Sequence, residues 1–317
     1  MIPSDHLTSV AIRAAHGQLP SVFRDAPQYV HDGLSALLGV PVIVKVETVN
    51  PIRSFKGRGT WIAVHALAGE GRIGPDRPIV CCSAGNFGQG VAYAARALDI
   101  PAIVFCSTTA NRGKVARMRG FGAEVIESGD DFDAARGASE AYAADHDAGL
   151  LVDGDDVRIS TGAATLALEL TDAVASGDLP APAVIAIPVG NGALLNGVGS
   201  WLRAEAPACR ILGVQSELAD AMTRSWRAGH PVDTESAATY ADGIASRVAI
   251  PRAVELMAGR VDDMLTLSEE DLRAAQATLT DHLGITVEGA AAASWAGLLA
   301  GPRPDGAAVV IVTGSNA

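Results

Sequence analysis

Cysteine is scarce in this chain, with four among 317 residues, and two of the four are adjacent at Cys81 and Cys82. Neighbouring positions on a strand point to opposite faces, so this pair is neither a disulfide framework nor a CxxC metal or redox site. Basic residues are also short: 24 Lys and Arg stand against 36 Asp and Glu, and a formal net charge of -12 works against nucleic acid and anionic membrane surfaces as partners. No run of like charges marks a tail. Aromatic residues reach only 4%, yet hydrophobic residues make up 49% and charged residues 19%, which excludes global disorder and supplies a sizeable core. A spanning segment is missing as well. The longest charge-free stretch, Leu179 to Leu202, holds Pro188, four glycines and two asparagines, and so reads as a strand, turn and helix. The first residues, MIPSDHLTSVAIRAAHG, have no basic start before an apolar block and are not a secretory signal. A soluble, cytoplasmic protein is expected, with no nucleic acid and no membrane as partner.

What is present is alternation. Ile79–Cys82, Ala102–Cys106, Glu124–Glu127, Val184–Val189, Ile211–Gln215 and Val309–Thr313 read as buried strands. Between them lie helical patterns over Gln89–Leu98, Asp131–Asp145, Thr161–Ala175 and Ser268–His282, the last with Ser268 and Asp271 at its start and Gly284 at its end. Strand and helix in turn predict an α/β fold with two open, mostly parallel sheets flanked by helices. No internal repeat is present. The polar, acidic segment Gly149–Asp156 is the best boundary, which predicts a small domain at 50–150 set within a large one formed by 1–49 and 151–317.

Two strands end in glycine-rich turns that open helices, Cys82-Ser83-Ala84-Gly85-Asn86-Phe87-Gly88 and Pro188-Val189-Gly190-Asn191-Gly192-Ala193-Leu194-Leu195-Asn196-Gly197. Free N–H groups at a helix N-terminus bind anions, and glycine lets the backbone come close. The second turn lacks the third glycine of a dinucleotide fingerprint, since Leu195 stands there, and Glu217 is only a loose match for the ribose acid. Taken alone it is open to three readings: a packing turn, a phosphate loop or a nicotinamide cofactor loop. There is no Walker motif and no HExxH. A third feature narrows the choice. In Asn50-Pro51-Ile52-Arg53-Ser54-Phe55-Lys56-Gly57-Arg58-Gly59, Lys56 lies between the strand pattern Val42–Glu47 and the helical pattern Thr60–Leu67. An amine at the mouth of a sheet, with a second strand end able to grip one phosphate, is what a pyridoxal 5'-phosphate site requires.

With these residues the chain resembles the fold-type II pyridoxal phosphate enzymes, the tryptophan synthase β-like fold, and within them the serine/threonine dehydratase group that includes serine racemase. The resemblance runs from about residue 40 to the end. Its motifs, in order, are Ser54–Gly59, Ser83–Asn86, Gly190–Gly197, Ala241-Asp242-Gly243-Ile244-Ala245, Val287–Ala290 and Thr313-Gly314-Ser315-Asn316. It implies that Lys56 holds the cofactor as a Schiff base and then serves as the base, and that Phe55 packs on the ring. Asn86 meets the ring hydroxyl, while Gly190, Asn191, Gly192, Ala193 and Leu194 cradle the phosphate. Gly243 lies against the cofactor, and Thr313 meets the pyridine nitrogen. Ser83, Ala84, Asn86 and Phe87 border the carboxylate of a small amino-acid substrate. The implied reaction is β-elimination from L-threonine, L-serine or a close β-hydroxy amino acid to a 2-oxo acid and ammonia. Acid–base groups of this kind are worth about a hundredfold to ten-thousandfold.

Departures from the group carry further expectations. Ala84 stands where serine racemase has its second base, which argues for elimination over racemisation. Gln215 and Ala221 replace acidic metal ligands, so no metal is expected, although Glu217 and Asp220 lie close by. Phe87 replaces a common histidine. Arg53 is either solvent-facing or a contact for an anionic substrate such as 3-hydroxyaspartate, and Arg58 is expected to be a structural ion-pair partner. The chain stops soon after the terminal motif, so isoleucine feedback through an added regulatory domain is not expected. Family habit implies a homodimer. The alternatives are a β-replacement synthase, a racemase, an NAD-dependent oxidoreductase built on the Gly190 loop, and a non-catalytic subunit.

Overall fold

A computed structural model describes residues 7–316. Twelve helices and ten strands are found among these residues, in two sheets. The chain opens with α1 (Ser9–Gln18), β1 (Gln28–Val30), α2 (Asp32–Leu38) and β2 (Val42–Val46), then enters α3 (Lys56–Gly69). Next come β3 (Ile79–Cys82), α4 (Asn86–Arg96), β4 (Ala102–Cys106), α5 (Arg112–Gly120), β5 (Glu124–Glu127), α6 (Phe132–Asp145) and β6 (Gly149–Leu150). The remainder runs α7 (Val157–Ala175), β7 (Pro182–Pro188), α8 (Ala193–Glu205), β8 (Arg210–Ser216), α9 (Ala221–Ala228), α10 (Pro251–Met257), β9 (Asp263–Leu267), α11 (Glu269–Leu283), α12 (Gly289–Ala300) and β10 (Ala307–Val312).

Six strands form one sheet in the order β1-β2-β10-β7-β8-β9, and four form the other in the order β5-β4-β3-β6. Every pairing is parallel except β1 with β2. The strands β2 and β10 are buried at every position, which is why β10 reads as an unbroken Ala, Val and Ile run and β2 is apolar except for Lys45, whose buried ammonium pairs with Glu169. Helices cover both faces of the larger sheet: α7 and α8 on one side around Trp201 and Leu195, α11 and α12 on the other around Trp295 and Leu279. The smaller sheet lies between α3, α4 and α5 on one face and α6 on the other.

The strands β3, β4 and β5 have the bounds the sequence predicts. The helix expected from Thr60 begins at Lys56 instead. The reason is tertiary: a Cβ on Gly59 would meet the Ile159 carbonyl oxygen at 2.5 Å, and one on Gly162 would meet the Arg58 carbonyl oxygen at 2.5 Å. Backbone packs on backbone there, so α3 starts through residues with poor helix propensity because α7 admits nothing larger. The segment Gly149–Asp156, expected as a polar divider, contains the two-residue strand β6 and delivers Asp153 to the cavity described below.

Candidate active site

The turn before α3 is held rigidly. Asn50 Oδ1 accepts from the Ile52 and Ser54 N–H groups, and its Nδ2 donates to the Glu47 and Ser54 carbonyls. The Phe55 N–H donates to the Thr313 carbonyl at 3.0 Å, which ties the turn to the exit of β10. Lys56 is then the first residue of α3, where the positive end of the helix dipole disfavours an ammonium. Its Nζ donates to Asp153 Oδ2 at 2.6 Å and lies 5.2 Å from the Phe55 ring centroid and 5.8 Å from that of Phe87.

Two residues on, Arg58 anchors the helix. It is buried and bonds Glu47 through Nε and Nη2 and Glu169 through Nη1 and Nη2, with Thr165 taking a further bond at 3.0 Å. Lys45 and His16 also bond Glu169. Burial acts against the Arg58 charge, but the Glu47 and Glu169 carboxylates outweigh it and raise its pKa. Burial likewise opposes the Glu169 charge, and His16, Arg58 and Lys45 nevertheless hold that carboxyl well below its ordinary value. Arg58 is thus a structural ion-pair partner. His16, Asp25 and Glu169 could geometrically surround a cation, but Arg58 and Lys45 already neutralise the one buried carboxylate of that group.

The second wall is the turn from β3 into α4. Ser83 Oγ accepts from the N–H groups of Gly85 and Gly88, at 3.1 and 2.9 Å, and so shapes the loop. Asn86 opens α4, and its amide is oriented by two partners distant in sequence: Nδ2 donates to Glu288 at 2.9 Å, and Oδ1 accepts from Asn316 Nδ2 at 2.8 Å. Burial raises the Glu288 carboxyl above its ordinary value, against the pull of Lys114 and the Asn86 bond. Lys114, itself buried, pairs with Asp242.

The third wall is Gly190–Leu194. A Cβ on Gly190 would meet the Gly243 carbonyl oxygen at 2.7 Å, and Gly192 has φ +87°, so both positions need glycine. Gly192 caps α8 with no side-chain bond, leaving the first N–H groups of that helix free for a ligand. Asn191 Oδ1 accepts from Ser246 Oγ at 2.8 Å.

All three walls and Thr313 line one cavity of about 670 Å³. The residues the resemblance assigns to cofactor and substrate are there: Phe55 and Lys56 on one side, Ser83, Ala84, Asn86 and Phe87 on the second, Gly190 through Leu194 with Gly243 on the third. Arg53 is not; it is exposed, at φ +51° in the turn. Near the expected metal positions, Gln215 accepts from the backbone and hydroxyl of Thr223, and Asp220 pairs with Arg224. Among the contributors to the cavity that the sequence does not nominate are Asp153, Glu288, Lys114 and Asp242. Asn316, beside Asn86, was missed with them. Glu288, Asp242 and Asn316 fall inside motifs that sequence reading had picked out, which was the available signal. Asp153 and Lys114 gave none.

The donor set fits pyridoxal phosphate on its own terms. A nucleophilic amine, an oriented amide, a neutral hydroxyl and a glycine cradle at the N-terminus of a 13-residue helix converge on one cavity. An α/β protein with a lysine and a glycine-built helix N-terminus lining one cavity is the class this defines. The comparisons make it specific. The profile of the family described as pyridoxal-phosphate dependent enzyme matches residues 23–314, and the chain belongs to that family. It is 31% identical over 311 residues to an L-threonine ammonia-lyase of Thermotoga maritima, covering 98% of this chain and 76% of that protein. It is also 31% identical over 295 residues to a phenylserine dehydratase of Ralstonia pickettii, covering 93% of this chain and 88% of that protein. Among solved structures, a T.th. threonine deaminase superposes with a TM-score of 0.89 at 29% identity, covering 98% of both chains.

Proposed function

We propose that the protein is a pyridoxal phosphate-dependent ammonia-lyase that eliminates the β-hydroxyl of L-threonine, L-serine or a close β-hydroxy amino acid. The product is a 2-oxo acid and ammonia. One observation carries the reading: Lys56, Asn86 and the Gly190–Leu194 cradle line the same cavity. When bound, the cofactor supplies an electron sink for charge developing at the substrate Cα.

The chain's own residues do the rest. Lys56 holds the cofactor and, once freed, takes the Cα proton at Nζ. Asn86 and the N–H groups opening α4 receive the substrate carboxylate, an anion placed at the positive end of an 11-residue helix. The Gly190–Leu194 N–H groups hold the phosphate. Thr313 offers the ring nitrogen a neutral hydroxyl, which holds less positive charge there than a carboxylate would and favours prompt loss of the β-substituent. Ala84 has no proton to give, which supports elimination over racemisation. Water leaves Cβ and water adds at Cα, so no oxidant or reductant is needed.

We further infer that 50–150 forms a smaller domain within a larger one of 1–49 and 151–317, supported by the placement of β3 through β6 in their own sheet. A cytoplasmic homodimer is part of the same proposal. Four free cysteines suit a reducing compartment, and no helix among the described residues is long and apolar enough to cross a membrane.

The test is the visible spectrum with L-threonine, L-serine or DL-threo-3-hydroxyaspartate added in turn. Expected is a cofactor band absent from Lys56→Ala, which shifts with one substrate as keto acid accumulates. A band that shifts without keto acid points to β-replacement or racemisation. No band after pyridoxal phosphate is supplied overturns the assignment.

A further inference from the structure

The carboxylate that meets the reactive amine is Asp153, in the short segment between β6 and α7. Lys56 Nζ donates to its Oδ2 at 2.6 Å, and the two side chains are 15% and 13% exposed. Asn191 Nδ2 approaches the same oxygen at 3.4 Å. The other oxygen, Oδ1, is buried with no protein partner. Buried carboxylates that serve only the fold have both oxygens satisfied, as Glu169 does. Asp153 leaves one open on a residue that lines the cavity.

Its position is explained by the amine. Holding a phosphate on the neighbouring Gly190–Leu194 loop calls for donors, and a second anion there is unfavourable. The Lys56 ammonium, by contrast, starts a helix at its positive end and lies between two aromatic rings, with no other ion pair among the described residues. From β3, Cys81 is the further titratable group near Asp153, and burial first, then Cys82 and Asp153, push its thiol well above the ordinary value. It is neutral and offers the ammonium no charge.

We propose that Asp153 is the electrostatic partner of Lys56 in catalysis: it stabilises the ammonium formed when Lys56 takes the substrate Cα proton. The step balances simply. The Cα–H bond breaks, its electron pair stays on carbon, and the proton joins the Nζ lone pair beside the Asp153 carboxylate. This rests on the reading of Lys56 as the base.

The partnership has a signature that a structural ion pair lacks, because Asp153→Asn moves two rates in opposite directions. In the holoenzyme the variant stabilises the ammonium less, so kcat falls about a hundredfold, the low end of acid–base effects, with KM little changed. The α-deuterium isotope effect on kcat rises, because proton removal becomes the slow step. In cofactor-free protein the same variant removes the carboxylate that holds Nζ at 2.6 Å, so trinitrobenzenesulfonate labels Lys56 several-fold faster. Asp153→Glu keeps the charge and recovers most of kcat; it also serves if the Asn variant does not fold. Loss of kcat with unchanged isotope effect and unchanged labelling, or retention of kcat within about twofold, overturns the proposal. Labelling needs neither cofactor nor substrate. Faster labelling in a protein that turns over no β-hydroxy amino acid therefore sinks the lyase reading while the pairing stands.

Discussion

Asn316 Nδ2 donates to Asn86 Oδ1 at 2.8 Å, while the Asn316 backbone N–H donates to Glu288 Oε1 at 2.8 Å. Three segments more than 200 positions apart at their extremes are thereby closed around one amide, with Arg117 Nη1 holding Asn316 Oδ1 from α5. Asn86 presents a fixed face to the cavity because its other face is used up.

Asn316→Ala removes that support without touching the cavity lining. Leaving buried polar partners unsatisfied costs about 1–3 kcal/mol. Cofactor affinity is expected to drop roughly tenfold or more, measured by titrating cofactor-free protein with pyridoxal phosphate. An unchanged dissociation constant would show that Asn86 needs no outside orientation.

Glycine at 190 makes a contrast with glycine at 137. A Cβ at 190 strikes the Gly243 carbonyl at 2.7 Å, backbone against backbone, whereas one at 137 meets nothing within 4 Å on the exposed side of α6. Gly190→Ala should weaken cofactor binding at least tenfold. Gly137→Ala should leave it alone and raise stability by about 0.5–1 kcal/mol through helix propensity. Cofactor titration and urea unfolding of both variants check the pair. Equal behaviour in the two would refute the cradle.

Where the sequence was legible follows from locality. β3 and β4 are short apolar runs, and β5 is a Val-Ile pair between two glutamates; such β-branched and apolar segments announce themselves. β6 has two residues and β1 is a partly exposed antiparallel edge, so neither carries a period. The start of α3 is hidden because Gly59 obeys the α7 backbone and Gly57 the Phe23 ring, and not their own propensity. Lys56, Asn86 and the Gly190 loop were readable because each is a local motif at a strand end. Asp153 was not, since its meaning comes from a lysine 97 positions away.

The thiols should be silent in the folded state. Burial pushes Cys82 and Cys209 up to about 12 and holds Cys81 well above its ordinary value, and Cys106 is raised as well. Thiolate is the reactive form. A thiol reagent at pH 8 should therefore find almost none of the four promptly in native protein and all of them after denaturation. A fast-reacting thiol in the native state would contradict the packing around β3.

Glu169 sets the acid limit of the fold. Its carboxyl is held well below the unfolded value of 4.5, so the stability it contributes is complete above about pH 4.5 and is lost as pH falls towards its folded value. Glu169→Gln leaves Lys45 and Arg58 buried with Glu47 as their remaining carboxylate. Breaking a buried pair from one side costs about 3–5 kcal/mol. Urea unfolding at pH 7 should show that loss, and the gap from the native protein should narrow as pH is lowered through 4, because acid removes the same interaction from the parent. If the gap stays constant with pH, the loss comes from packing and the ion pair is not its source. Carrying Arg58→Met on the Glu169→Gln background should recover part of the loss by removing the stranded charge. Failure to recover would place the cost in the shape of the site.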